Sequence, residues 1–184
     1  MLYELAIVDR LMMGWRNALG ADFDGYRHHV YRVVNLAHAF YPGMSDDEAQ
    51  LLEVAAAFHD VGIWTHGTFD YLVPSADQAC AYLAENPDLG SGTLADKQHL
   101  VQTMIIEHHR VRSLPGLEMP LAEAFRRGDW TDVTFGVRRF GLPWARVREI
   151  QAVFPDEGFH RRLMELFWAR VREAPLSPLP MLRW

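Results

Sequence analysis

A histidine and an aspartate stand side by side in "AAAFHDVGIWTHG", residues 55–67, at the end of an otherwise apolar run. Both groups are costly to bury without a hydrogen-bonding or charged partner. His59 follows Ala55 by four residues and Leu52 by seven, on the face that also carries Leu51 and Phe58, so helical periodicity points it inward. Asp60 belongs to the same buried border, where an unpaired carboxylate would protonate. Something positive is expected beside it. Upstream, Tyr26, His29, Val33, Leu36, Ala37 and Phe40 form one apolar stripe, so His29 faces inward and His28 does not. Downstream, Val101, Met104, Ile105 and His108 share a stripe, with His109 on a neighbouring edge. Asp129, four residues after Phe125 and four before Val133, is a second inward carboxylate. Any one of these alone reads as a hydrogen-bonded core residue. Together, inward imidazoles and carboxylates make a mixed nitrogen and oxygen set suited to a divalent cation such as Mn, Fe, Co, Ni, Zn or Mg.

The elements that must position these groups are helices. Periodicity predicts them over residues 2–19, 24–40, 45–59, 75–85, 94–108, 121–135, 143–153 and 156–172, and no stretch alternates as a half-buried strand would. "SDDE" from Ser45 is a capping box, Ser75 is a candidate N-cap, and Pro143 suits a first helical turn. "YPGMS", "ENPDLGSG" and "SLPGLEMP" read as loops, and the three prolines of "EAPLSPLPMLRW" end the last helix. That tail is expected to run extended, its Leu and Trp side chains docking on its own domain or on a partner. The fold class is therefore all-α, one bundle of roughly seven to eight helices. At 184 residues a single domain is expected, with a core over about 24–140 and C-terminal helices and tail over 141–184. A formal charge of -6 gives no basic footprint for nucleic acid. Cys80, the lone cysteine, excludes a disulfide-stapled scaffold. Acidic and basic residues interrupt the N-terminus, and no apolar run reaches the ~20 residues of a membrane span. A cytoplasmic location is the expectation.

"HVYRVVNLA" from His29, "AAAFHDVG" around His59 and Asp60, and "RRGDWTDV" around Asp129 together resemble the HD superfamily of metal-dependent phosphohydrolases. Its members are all-helical and share an H…HD…D set of metal ligands, and the likeness covers roughly residues 24–140. The resemblance implies one divalent ion held by His29, His59, Asp60 and Asp129. Three features depart from the pattern. Ser75 stands where two-metal branches carry a further histidine, which argues for one ion rather than two. Ile63 stands where the "HDIGK" variant has its lysine. No carboxylate follows the doublet closely, and Asp70 and His66 are the nearest substitutes. The "EHHR" pair reaches a second metal in some HD proteins; here His108 is favoured as a pocket residue over a ligand.

The function so implied is hydrolysis of a phosphomonoester or phosphodiester, of which a nucleotide is one candidate, by metal-activated water. Asp60 would both ligate and orient the water. His66, in a loop near the metal, is a candidate acid or base beside Asp70. Arg32, Arg110 and Arg112 are candidates to neutralise phosphate, and His108 and His109 to line the substrate pocket; the alternative for each arginine is a solvated charge. The expected partner is a small phosphorylated substrate, with no nucleic acid and no membrane, and a homo-oligomer stays open. Other readings of the same ligands are an iron oxygenase, a hydratase of small nitrogenous molecules, and a non-catalytic metal-stabilised sensor or assembly domain.

Overall fold

The computed structural model describes residues 1–113 and 119–182, so part of the "SLPGLEMP" loop and the final Arg183 and Trp184 lie outside the described residues. The described chain is helical: α1 (Ala6–Leu19), a 3-10 turn (Gly20–Asp22), α2 (Phe23–Phe40), α3 (Asp46–Phe58), α4 (Gly62–Thr65), α5 (Leu72–Glu85), α6 (Leu94–Glu107), α7 (Pro120–Val133), α8 (Trp144–Val153) and α9 (Phe159–Glu173). The all-α single bundle follows from the 3.6-residue periodicity, and none of these helices is long and apolar enough to cross a membrane.

Several boundaries differ from the periodicity for physical reasons. α1 starts at Ala6, not Leu2, because residues 2–5 bond elsewhere: the Leu2 amide donates to Asn35 and the Leu5 amide to the Tyr31 hydroxyl. The first-turn amides of Ile7 and Val8 then donate to the Glu53 carboxylate on α3, a cap from another helix that sequence spacing cannot reveal. α5 begins at Leu72, so Ser75 is a buried residue inside it and not an N-cap; its hydroxyl accepts the Gly62 amide at 3.0 Å. Pro143 is the N-cap of α8 rather than a residue of its first turn. The short α4 follows the His59–Asp60 doublet, where periodicity alone marks no separate helix. The Ser45–Glu48 capping box forms as expected, and a second one, Thr93 with Asp96, opens α6.

α2 is the axis of the bundle, buried along most of its length. Its most extensive neighbour is α7. Gly128 makes that approach possible, since a Cβ there would lie 2.8 Å from the Val33 carbonyl oxygen. With no side chain between them, the two helices bring Asp129 and Asp132 opposite His29 and Arg32. Gly62 allows a similar close approach elsewhere: a Cβ would meet the Ser75 Oγ and the Tyr71 carbonyl at 2.8 Å. The turn after the doublet thus seats against the start of α5. The Pro-rich tail docks on its own domain, with Met181 buried against Ile63, Tyr71 and Leu72.

Candidate metal centre

α2, the end of α3, the end of α6 and α7 each contribute to one buried cluster. His29, His59, Asp60, His108 and Asp129 are all at most 2% exposed. Hydrogen bonds fix the imidazole tautomers. His29 Nδ1 donates to Asp132 at 2.7 Å, His59 Nδ1 to the Ala56 carbonyl at 2.7 Å, and His108 Nδ1 to the Ile105 carbonyl at 2.6 Å. In each neutral ring the Nε2 is then a bare lone pair, and these three nitrogens face the cluster. His29 Nε2 and His59 Nε2 stand 3.0 Å apart, an arrangement that is repulsive unless a proton or a cation lies between them.

The carboxylates make the same demand. Asp60 Oδ1, both Asp129 oxygens and His108 Nε2 are buried without a hydrogen-bond partner. Asp60 lies 3.4 Å from both His59 Nε2 and His108 Nε2 through its two oxygens, and Asp129 Oδ1 lies 3.6 Å from His29 Nε2 and 3.8 Å from His59 Nε2. These separations are too long for good hydrogen bonds, yet donors ~2.0–2.2 Å from one ion must lie within ~4.4 Å of each other. Orphaned, buried and convergent, the residues present fit a divalent cation. His29, His59 and Asp129 form one group of potential ligands, His59, Asp60 and His108 another, and His108, His109 and Asp129 a third.

Without an ion, protons must balance the charge. Burial opposes it, but the charges of Asp60 and Asp129 push His59 up to about 9. Burial, against the pull of Asp132, takes His29 down to about 4. Asp60 is held well below the usual carboxylate range, because His59 and His108 outweigh its desolvation. Desolvation, with Asp60 and Asp132 nearby, raises Asp129 to about 6.

The support around the ligands is equally specific. Asp132 accepts from His29 and, in a two-pronged contact at 2.6 and 3.0 Å, from Arg32; despite desolvation, Arg32 and His29 keep its carboxyl far below the ordinary range. The Tyr26 hydroxyl donates to the Ala57 carbonyl and accepts the Asp60 amide, pinning the doublet from behind. Phe159, the first residue of α9, stacks on the His29 ring at a centroid distance of 4.0 Å.

The structure brings the four expected ligands together and redistributes the other site residues. His108 Nε2 lies 3.4 Å from Asp60 Oδ1, in a group with His59 and Asp60 that could hold an ion, and His108 is not among the residues that line the cavity. His109 is beside the centre, its Nδ1 3.5 Å from Asp129 and its Nε2 2.8 Å from the Tyr71 hydroxyl. Arg32 does not face the centre: its guanidinium is buried against Asp132 and the carbonyls of Phe154 and Pro155, so it positions His29 through Asp132. Arg110 pairs with Glu107, and Arg112 is exposed. His66 and Asp70 are also exposed, with His66 next to Thr65 and Gln78. None of these last four lines the cavity above the metal centre. Asp132, one turn after Asp129 in "DWTD", was missed although its i+3 spacing placed it on the same face. Phe159 and Tyr26 carried no polar signal that could have marked them.

A cavity of about 300 Å³ opens onto the centre, with Asp60 and His109 in its lining and α9 and the tail forming one wall. Compared with known proteins, the chain matches no family model, no curated sequence and no solved structure.

Proposed function

We propose that the chain is a divalent-metal-dependent phosphohydrolase of the HD type, acting on a small phosphomonoester or phosphodiester. The observation that supports it best is a pair of buried ligand groups that share His59, one made with His29 and Asp129 and the other with Asp60 and His108, beside a cavity that Asp60 lines. When bound, a divalent ion supplies Lewis acidity toward a phosphoryl oxygen and lowers the pKa of water. The chain's own groups do the rest. Asp132 and the Ala56 carbonyl hold the two imidazoles in the tautomer that offers Nε2. Asp60, with Oδ1 unpartnered in a residue that lines the cavity, accepts a proton from water as the water oxygen bonds to phosphorus, and that proton passes to the ester oxygen as its P–O bond breaks, releasing an alcohol. The apolar wall of α9 and the tail limits competing bulk water.

The test is elemental mass spectrometry of the purified protein, followed by phosphate release from a panel of phosphoesters with the ion found. About one transition-metal ion per chain with turnover is expected. A chain that stays metal-free after incubation with Mn, Ni and Fe overturns the reading. An iron oxygenase is the second reading, favoured by the additional donors His108 and His109 beside Asp129. Two irons per chain with substrate-dependent dioxygen uptake would establish it in place of the hydrolase.

A further inference from the structure

The cavity over the metal centre is unlike a site for a nucleotide. Its walls are built by side chains such as Ile63, Phe69, Val133, Leu163, Phe167 and Met181, and among the described residues no lysine or arginine lines it. The polar atoms that do reach it are largely committed to the protein. The Tyr71 hydroxyl is bonded to His109, Trp130 Nε1 to the Arg110 carbonyl, and the two His160 nitrogens to Asp156 and to the Asp132 carbonyl. Asp60 Oδ1, at the metal end, is the one lining side-chain atom among the described residues that is both buried and unpartnered. A nucleobase and a ribose would bring several donors and acceptors into this space and lose their water without replacement. An alkyl or aryl body would lose none.

We infer that the substrate is an amphiphile, with one metal-binding polar head at Asp60 and an apolar alkyl or aryl body lying between Val133 of α7, Leu163 and Phe167 of α9, and Met181 of the tail. The inference rests on the metal centre being a reaction site, and under the hydrolase reading the class is a phosphomonoester of an apolar alcohol. Hydrolysis then breaks the ester P–O bond, water supplies the new oxygen on phosphorus, and an apolar alcohol leaves with inorganic phosphate. The cavity volume, about 300 Å³, is at the lower end for small-molecule sites, which bounds the body to a short chain or a single ring system.

The experiment separates this inference from the hydrolase reading by using two probe series on the manganese-loaded full chain. n-Alkyl hydroxamates, whose head chelates a divalent ion, report binding by calorimetry without turnover. n-Alkyl phosphates and adenosine monophosphate report turnover as released phosphate. Affinity for the hydroxamates is expected to rise about fourfold per methylene until the cavity is full. Met164→Glu, at the half-exposed rim of the cavity, should flatten that rise while the metal content stays unchanged. Chain-length-dependent binding without phosphate release would support the inference and overturn the hydrolase reading. Phosphate release with no chain-length dependence, or faster release from adenosine monophosphate, would do the reverse. Flat or absent hydroxamate binding overturns the inference, as does binding that weakens when protein concentration rises, which would place a second copy of the chain in the cavity.

Discussion

His29 and His59 present their Nε2 atoms to each other across 3.0 Å, while the Nδ1 of each ring is engaged by Asp132 and by the Ala56 carbonyl. Two neutral imidazoles held in this way repel, and a cation shared between them turns the repulsion into ligation. The metal reading therefore depends on the second hydrogen bond of each ring as much as on the ligands themselves.

Replacing a ligand should empty the site without unfolding the bundle. For His59→Ala or Asp60→Ala, metal content by elemental mass spectrometry should fall from about one ion per chain to below about a tenth. Circular dichroism should show helix content unchanged. Full metal retention in either variant would rule out the site.

The support beneath His29 should matter at one remove. Asp132→Asn keeps the size of the side chain but loses the charge that fixes the tautomer, and metal affinity should drop ~10–100-fold. Arg32→Met leaves Asp132 buried and without its two-pronged partner, which should cost ~3–5 kcal/mol in urea unfolding. If Arg32 instead neutralised substrate phosphate, the same variant would raise KM with stability untouched.

Metal uptake should release a proton and strengthen with pH. In the metal-free chain, His59 at about 9 is protonated at neutral pH, and a ligating imidazole cannot be. Calorimetry in buffers of different ionisation enthalpy should report about one proton released per ion at pH 7, with affinity rising until pH passes about 9. The stability of the metal-free form runs the other way. A folded pKa above the ordinary 6.5 gives a contribution that is complete below 6.5 and lost as pH rises through about 9. The metal-loaded chain should not show that loss.

Two glycine variants should diverge. Gly128→Ala drives a Cβ into the Val33 carbonyl and should destabilise the fold by ~1–3 kcal/mol, with weaker metal binding as α7 shifts. Gly14→Ala, inside α1 with open space around the position, should stabilise by ~0.5–1 kcal/mol. Equal melting temperatures would mean that the close contact of α2 and α7 does not position the centre.

Substitutions at the exposed residues that the sequence offered as candidates should be quiet. His66→Ala, Asp70→Asn and Arg112→Ala lie outside the cavity lining, and metal content and turnover should stay within about twofold of the parent, as for ordinary surface changes. A larger loss of turnover at unchanged metal content would return that residue to the reaction.

The inward histidines show how far local pattern carries. His29, His59, His108 and Asp129 were legible because each shares a stripe with apolar neighbours at helical spacing, and burial in a bundle follows that stripe. Arg32 misled for the same reason. Its position one turn after His29 placed it near the centre but could not say which of several nearby acceptors it would meet. Ser75 misled through its type, since a serine at a predicted helix start reads as a cap until the Gly62 amide claims its hydroxyl.

The sequence by itself determined an all-helical chain, the Ser45 capping box, and the inward His29, His59–Asp60 doublet and Asp129, because periodicity and capping are decided within a few residues. Only the tertiary structure decided that Asp132 holds His29 across 103 positions, that His108 reaches Asp60, and that α9 and the tail wall an apolar cavity over the centre. Those contacts depend on how closely α2 and α7 pack and on where the C-terminal segment returns. No spacing along the chain encodes either.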